Sequence, residues 1–271
     1  MTRSSIRGAE LEYDVAGTGP DVMLIHSALA DRRMWEGQLA LLTSRHRVLT
    51  PDLRGFGDST LPEGEFSLSA DVAALMAEVD IPRAIVIGSS MGGGVAIDLA
   101  LERPDLVAAL VLIGAGVRGS PPSEAMQRVD TEVEALVRRG ALDEAVEREL
   151  QFWVDGPGRP AGTVGGAIRE YLRSADLAVM RRAAAWDRAK ATRPMPPPAE
   201  RLEEIVVPTL VVVGEHDVPD MVTQAREMAR RLPNAELVII ANAAHFPSLE
   251  RPEEFNGHLA RFLGQLERPA R

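Results

Sequence analysis

A serine flanked by glycines follows an apolar run in the first half of the chain. In the segment GSSMG, Ser90 stands two residues after Gly88 and two residues before Gly92, directly after the run AIVI. A serine that projects from a sharp strand-to-helix turn has a strained backbone, and larger side chains two residues to either side would collide with each other. The helix that follows would point its free N–H groups towards the serine. The pattern is typical of a nucleophilic serine, and the alternative is an ordinary tight turn.

A serine hydroxyl is a weak nucleophile unless a base removes its proton, and the chain offers five histidines. We predict His245 as the base because it follows the last apolar run in NAAHFPSLERPEEF, on a loop that can hang over the end of a sheet. His216 competes for this role only through its position beside an aspartate. For His46 and His258 we expect packing or surface roles.

The base in turn needs a carboxylate that holds its tautomer and stabilises its charged form. Asp217 in VVVGEHD ends the apolar run before the one that leads to His245, which gives the chain order serine, aspartate, histidine. Glu215 and Asp220 are close enough in sequence to be rivals. The segment LIGAG at 112–116 contains no acidic residue, so it offers no further candidate.

Six short apolar runs recur along the chain, and few polar positions alternate within them. Strands buried on both faces of a parallel sheet show this pattern, and segments with helical spacing lie between most of the runs. We therefore predict an α/β fold with helices on both faces of the sheet. Residues 5–19 alternate and end in AGTGP, which predicts a first hairpin and turn, so that the mostly parallel sheet has eight strands. The six runs are 21–27, 46–53, 84–90, 106–116, 208–217 and 235–245.

One interval, residues 118–203, lacks any strand-like run and contains several segments with helical spacing. We predict that it is a helical lid inserted into a core formed by residues 1–117 and 204–271, and that its closing proline cluster, RPMPPPAERL, is a stiff linker. In the last loop, Pro247 and Pro252 should delay the final helix until about Glu253.

Composition excludes several classes of partner. A formal net charge of −10 and a pI near 5.1 argue against nucleic acid, which needs clustered lysine and arginine. Without cysteine there is neither a disulfide nor a thiolate metal site, and motifs for metal, phosphate or dinucleotide binding are missing, so we expect no metal and no cofactor. No apolar stretch reaches the ~18 residues of a membrane span, so we expect no membrane partner and a cytoplasmic location.

With Ser90, Asp217 and His245 in this chain order, the sequence resembles the α/β-hydrolase superfamily over nearly its whole length apart from residues 118–203. It is similar to the branch of 3-oxoadipate enol-lactonases and small carboxylesterases. The segments that carry the resemblance are GSSMGG, VVGEHD, AAHFPSLERPEEF, PDLRGFGDS and LIHSALADRRMW.

The resemblance implies that the backbone N–H groups of Met91 and Ala28 form an oxyanion hole. Ser27 stands where the family usually has glycine, and its β-carbon restricts the backbone there, so that Ser27 is the alternative donor. For Arg54 and Asp58 in PDLRGFGDS we expect an ion pair or hydrogen bonds that brace the turn beneath the site.

The expected activity is that of a serine hydrolase, which cleaves an ester or lactone of a small to medium apolar substrate through an acyl-enzyme on Ser90. The alternatives are carbon–carbon hydrolysis of vinylogous diketones, cofactor-free perhydrolysis, and a ligand receptor with slow turnover. The expected partner is a small molecule, and the chain is expected to be a monomer or a homodimer.

Aromatic residues near these motifs are candidates for a substrate pocket, although any one of them can instead pack helix on helix. Six arginines between Arg169 and Arg193 would suit a substrate carboxylate or a solvated surface, and we assign none of them. The candidate pocket residues are His26, Trp35, Trp153, Trp186 and Phe246.

Overall fold

The computed structural model describes residues 2–267, and its central element is a sheet of eight strands. Two further short strands pair with each other outside this sheet. The strands are β1 (Thr2–Ile6), β2 (Ala9–Ala16), β3 (Asp21–Ile25), β4 (Arg47–Pro51), β5 (Gly64–Phe66), β6 (Ala84–Ser89), β7 (Val107–Ile113), β8 (Ala189–Ala191), β9 (Thr209–Gly214) and β10 (Ala235–Ile240).

The order across the main sheet is β1-β2-β4-β3-β6-β7-β9-β10. The pairs β1–β2 and β2–β4 are antiparallel, and every later pair is parallel. The predicted α/β fold with a mostly parallel eight-stranded sheet is therefore confirmed.

The first hairpin differs from the prediction. It turns at Arg7 and Gly8, which have φ of 48° and 84°, as tight two-residue hairpins require. The segment AGTGP, predicted as the hairpin turn, instead links β2 to β3. The first strand, β1, begins at Thr2, before the predicted start at residue 5, because its residues, TRSSI, are mostly polar and lie at the exposed edge of the sheet.

In the described part of the chain, ten α-helices connect or flank these strands. Within residues 2–267 no helix combines the length and the apolar character needed to cross a membrane. The helices are α1 (Glu36–Thr43), α2 (Leu68–Glu78), α3 (Met91–Glu102), α4 (Glu124–Arg138), α5 (Leu142–Glu149), α6 (Gly166–Met180), α7 (Ala183–Trp186), α8 (Pro219–Arg231), α9 (Pro247–Glu250) and α10 (Pro252–Leu266). Short 3₁₀ segments are Arg32–Trp35, Pro104–Leu106, Pro198–Glu200 and Leu202–Glu204, and Leu150–Asp155 is a π-helix.

Side chains of the central strands alternate between two hydrophobic cores. Along β3, Met23 and Ile25 join the core beneath α2, α3 and α8, whereas Val22 and Leu24 join the core beneath α1 and α10. Both faces of each central strand are thus covered by helices, which is why these runs carry so few polar residues.

The segment 118–203 lies between β7 and β9 and consists mainly of helices. The expectation that it contains no strand is wrong, since β8 pairs in parallel with β5 through Gly64↔Ala189 and Phe66↔Ala191. The residues of β8, AKA, have neither β-branched nor aromatic side chains, and the backbone of β5 supplies their pairing.

The final helix, α10, begins at Pro252, within one residue of the predicted start at about Glu253, but the loop before it contains the unpredicted short helix α9, which begins at Pro247. Proline fits the first position of a helix, where the missing N–H has no intrahelical acceptor. Pro247 therefore starts a helix where a helix-free loop was expected.

A buried ion pair joins the turn after β4 to α2. Arg54 donates to both carboxylate oxygens of Asp71 at 2.6 and 2.9 Å, and the two side chains are only 4% and 1% exposed. Asp58, at the same turn, is largely exposed and lies 3.3 Å from Arg32. Arg54 and Asp58 therefore brace the turn through two different partners.

We expect Arg54→Ala to destabilise the fold by about 3–5 kcal/mol, because it leaves the carboxylate of Asp71 buried and without its main partner. Urea unfolding measures the change. The double variant Arg54→Met with Asp71→Leu should recover most of the loss, since no buried charge remains. Arg103→Ala is the control, because its pair with Asp105 is exposed and should contribute little. Equal losses in the two arginine variants would contradict the prediction.

Candidate active site

Ser90 occupies the junction between β6 and α3 with φ of 54° and ψ of −115°, a strained conformation for a residue with a side chain. The glycines on either side allow this junction. A Cβ on Gly88 would lie 2.3 Å from the carbonyl oxygen of Gly92, and a Cβ on Gly92 would lie 2.3 Å from that of Ile25. The backbone of α3 can therefore approach the end of β3 and hold Ser90 out of the sheet.

The three residues predicted to act together form one hydrogen-bonded chain. The imidazole Nε2 of His245 lies 2.8 Å from Ser90 Oγ, and its Nδ1 lies 2.9 and 3.1 Å from the carboxylate oxygens of Asp217. A carboxylate only accepts, so Nδ1 carries the proton and Nε2 is free to accept from the serine hydroxyl. Asp217 also accepts the N–H of Val218 at 2.7 Å. The aspartate is thereby held in a fixed orientation.

Packing around the imidazole fixes its position. Phe246 contacts the ring edge-on at a centroid distance of 5.2 Å, and Trp153 lies 4.7 Å from it on another side. Gly114, at the end of β7 with φ of 51°, lies so close that a Cβ there would be 3.0 Å from Nδ1. No local pattern in LIGAG signals this contact, because the imidazole comes from a distant part of the chain.

Glu250 holds the backbone on both sides of His245. Its carboxylate accepts the N–H of Ala244 at 3.0 Å and that of Phe246 at 3.2 Å, on either side of His245. Burial raises the pKa of Glu250, and the two backbone donors oppose this shift. Its sequence context, SLERPEEF, carries no signal that separates it from the glutamates that follow.

The rival residues lie elsewhere or have other partners. His216 is exposed, and its Nε2 lies 3.9 Å from Glu215. Asp220 accepts the N–H of Ser123 at 2.8 Å, and His46 is buried against the carbonyl of Leu42. His258 is on α10.

Two backbone N–H groups near Ser90 are free to bind an oxyanion. Met91 is the first residue of α3, so its N–H has no hydrogen-bond acceptor within the helix. The N–H of Ser27 points to the sulfur of Met34 at 3.4 Å, whereas that of Ala28 has no acceptor within residues 2–267. The geometry favours Ala28 over Ser27 as the second donor.

His26 does not line a pocket, contrary to the prediction. Its side chain is fully buried, with Nδ1 donating to the carbonyl of Ser27 at 2.7 Å and Nε2 accepting the N–H of Leu53 at 2.9 Å. Burial lowers the pKa of His26, which keeps the ring neutral as this pairing requires. His26 instead fixes the backbone that leads to Ala28.

A cavity of about 780 Å³ opens above Ser90. Its walls include Ala28 and Met91 from the core, and Trp153 and Trp186 from the segment 118–203.

Trp35 and Phe246, also predicted to line the pocket, do not. Both are completely buried in the core beneath α1 and α10, where large apolar side chains fill space between helices and the sheet.

Several charged side chains also line this cavity. Burial raises the pKa of Glu149 to about 8 and that of Asp176 to about 7, and it raises the pKa of Asp130 as well. Arg118 forms an ion pair with Asp98, and burial lowers the pKa of Arg118 to about 10. The sequence predictions do not include these three acids, because the acids lie on separate helices and no local pattern links them.

The segment 118–203 is tied to the core near the cavity. The hydroxyl of Tyr171 donates to the carbonyl of Asp31 at 3.1 Å, and Arg182 donates to the carbonyl of Gly55 at 2.8 Å. These bonds hold the segment above Ser90.

Of the six arginines between Arg169 and Arg193, most bind protein groups. Arg169 and Arg173 both pair with Glu147, and Arg193 lines the cavity. Within residues 2–267, no group of three or more histidine, aspartate or glutamate side chains is arranged to hold a metal ion.

The model of the Alpha/beta hydrolase family matches residues 22–258 of this chain. The chain belongs to the alpha/beta hydrolase family. The predicted family resemblance is therefore confirmed, and we refer to the protein as this hydrolase.

Relatives with named activities support the assignment. A thermophilic esterase from Thermogutta terrifontis superposes with a TM-score of 0.80 at 27% identity and covers 99% of this chain and 100% of its own. The enol-lactonase from Burkholderia xenovorans LB400 gives 0.78 at 26% identity, with 97% and 100% covered. The putative carbamate hydrolase RutD from Rhizobium rhizogenes is 30% identical over 239 residues, covering 84% of this chain and 87% of its own.

We expect Gly114→Ala to slow the labelling of Ser90 by a fluorophosphonate about 10²-fold, because the added methyl group displaces the imidazole and the carboxylate of Asp217. Labelling rates at a fixed probe concentration measure the effect, and circular dichroism shows whether the variant is folded. Gly257→Ala on α10 is the control, since a Cβ there meets no atom within 4 Å. A folded Gly114→Ala protein that is labelled at the wild-type rate would refute the proposed role of Gly114.

Proposed function

We propose that this hydrolase cleaves a carboxylic ester or a lactone through an acyl-enzyme on Ser90. The observation that carries the proposal is the hydrogen-bonded chain from Ser90 through His245 to Asp217, at the base of a cavity with mainly apolar walls. A nucleophile, its base and an orienting carboxylate are the three groups that acyl transfer requires.

In the first half of the reaction, Nε2 of His245 takes the hydroxyl proton as Ser90 Oγ attacks the substrate carbonyl. The negative charge that develops on the carbonyl oxygen is held by the N–H groups of Met91 and Ala28. His245 then gives its proton to the departing alkoxide, and an ester bond to Ser90 remains. Asp217 stabilises the imidazolium throughout.

In the second half, His245 removes a proton from a water molecule, whose oxygen attacks the acyl-enzyme. The tetrahedral intermediate collapses, Ser90 recovers its proton from His245, and the carboxylic acid leaves. For a lactone, alcohol and acid remain one molecule, so the product is a hydroxy acid.

We propose residues 118–203 as a lid that covers the site and selects the substrate. Its helices supply Trp153 and Trp186 to the cavity wall, and its bonds from Tyr171 and Arg182 tie it to the core. The cavity volume lies within the ~300–1,000 Å³ typical of small-molecule sites. An acyl group of medium length would fit beneath this lid.

The activities of named relatives are consistent with this proposal, since one is called an esterase and another an enol-lactonase. A serine at the elbow together with its base and acid favours turnover over a receptor that only binds its ligand.

We expect the protein to hydrolyse a panel of p-nitrophenyl esters from acetate to dodecanoate, with a maximum at medium chain length, and five- and six-membered lactones. In Ser90→Ala kcat should fall by about 10⁶-fold, because the nucleophile is removed. Labelling of the wild type by a fluorophosphonate without turnover of any ester or lactone would favour carbon–carbon hydrolysis. Absence of labelling would refute serine chemistry.

The roles of the base and the acid are tested against their sequence neighbours. His245→Gln should reduce kcat as severely as Ser90→Ala, and Asp217→Asn should reduce it by about 10⁴-fold. His216→Gln and Asp220→Asn are the matched controls and should retain most of the activity. A large loss in either control with retention in His245→Gln or Asp217→Asn would reassign the roles.

A further inference from the structure

Three acidic side chains face the cavity from the segment 118–203. Asp130 comes from α4, Glu149 ends α5 and Asp176 lies on α6. They share this cavity with Ser90, and the proposed acyl transfer uses none of them.

Asp176 is the most enclosed of the three acids. It is 4% exposed, and its Oδ2 has no hydrogen-bond partner within residues 2–267. A carboxylate in such a place is costly to ionise unless a donor or a cation faces it. Since most buried acids are paired, this unpaired oxygen points to a partner from outside the chain.

Glu149 lies close enough to Asp176 to feel its charge: burial first, and the charge of Asp176 second, raise the pKa of Glu149. Arg148, the residue before Glu149, lowers the pKa of Glu149. The guanidinium of Arg148, however, pairs with Glu132 at 2.6 Å and packs over the ring of Phe152. The positive charge of Arg148 is therefore paired with Glu132 and not with Glu149.

The acids lie near the reacting groups. Glu149 precedes Trp153 by four residues along continuous helical backbone, and both side chains line the cavity. Trp153 in turn contacts the ring of His245. A substrate group several carbon atoms from the scissile carbonyl would reach Glu149 and Asp176.

The other charged residues of the cavity do not neutralise the carboxylates of Asp130, Glu149 and Asp176. Asp98, Arg118, Asp187 and Arg193 also line it, and Arg118 is paired with Asp98. Glu134, near Asp130, adds a further negative charge that raises the pKa of Asp130. When ionised, the lining carries five carboxylates and two guanidinium groups.

We propose that Glu149 and Asp176 form a subsite for a positively charged amine on the substrate, separated by several methylene groups from the scissile carbonyl. The inference rests on the proposed ester or lactone hydrolysis, because it names the substrate class of the same site. An alkylammonium group has three N–H donors for the two carboxylates, and the apolar walls cover its methylene chain. Substrates that carry a carboxylate at this position are repelled.

The kinetic test compares p-nitrophenyl 6-aminohexanoate with the heptanoate ester, in which a methyl group replaces the ammonium. We expect wild type to prefer the amino ester in kcat/KM. Asp176→Asn and Glu149→Gln should each lower kcat/KM for the amino ester about tenfold or more, and change that for heptanoate less than about twofold. Glu170→Gln, an exposed acid on the same helix as Asp176, is the matched control.

The dependence on pH supplies a second readout. An acid with a raised pKa is neutral below that pKa, so the carboxylates gain charge as pH rises through about 7 and 8. Because the amine, with pKa near ~10.4, stays charged, KM for the amino ester should fall from pH 6 to pH 9 relative to heptanoate. The double variant Glu149→Gln with Asp176→Asn should lose this difference.

Binding of hexylammonium to Ser90→Ala, measured by calorimetry, is independent of turnover. Hexylammonium should bind at least about tenfold more tightly than 1-hexanol, and near pH 7 it should release protons, seen as a binding enthalpy that depends on the buffer. Equal affinities, or a wild-type preference for heptanoate across this pH range, would overturn the subsite. Selective hexylammonium binding without turnover of any ester would refute the hydrolysis and retain the subsite.

Discussion

The site depends on backbone segments that approach each other more closely than any side chain allows. Gly88 and Gly92 let α3 contact the end of β3, which holds Ser90 at a positive φ, and Gly114 lets the end of β7 lie against His245. At Gly214 a Cβ would lie 2.0 Å from the carbonyl of Ala244. The 2.8 Å contact between serine and imidazole follows from these approaches, because they bring three separate strand ends to one point.

Burial acts differently on the two walls of the cavity. On the core side two buried polar side chains of the site have fixed partners: Asp217 bonds to His245, and neutral His26 bridges two backbone segments. On the opposite side, the Oδ2 of Asp176 has no hydrogen-bond partner within residues 2–267, and burial raises the pKa values of Glu149 and Asp176. The polar groups of the core wall are thus held in place before any substrate binds. The opposite wall instead presents carboxyl groups with which a ligand could pair.

Local patterns predicted the sheet, and they placed Ser90, His245 and Asp217, which form one hydrogen-bonded chain in the structure, at the ends of apolar runs. Each of these features is encoded within a few residues: an apolar run marks a strand, and the ends of such runs marked Ser90, Asp217 and His245. The predictions that failed required knowledge of the surroundings. His26 and Trp35 have the types expected of a pocket but are buried in the core, and β8 exists only because β5 lies beside it.

The sequence by itself determined which residues have the chemistry and at which strand ends they stand, since strand burial and glycine-dependent turns act over short stretches of chain. Only the tertiary structure decided what surrounds them. The partner of Arg54, the contact of Gly114 with the imidazole and the convergence of Glu149 and Asp176 all join residues distant in sequence. Such pairings depend on how helices pack over the sheet, and the periodic pattern of apolar residues shows which face of an element is buried but not which side chains meet there.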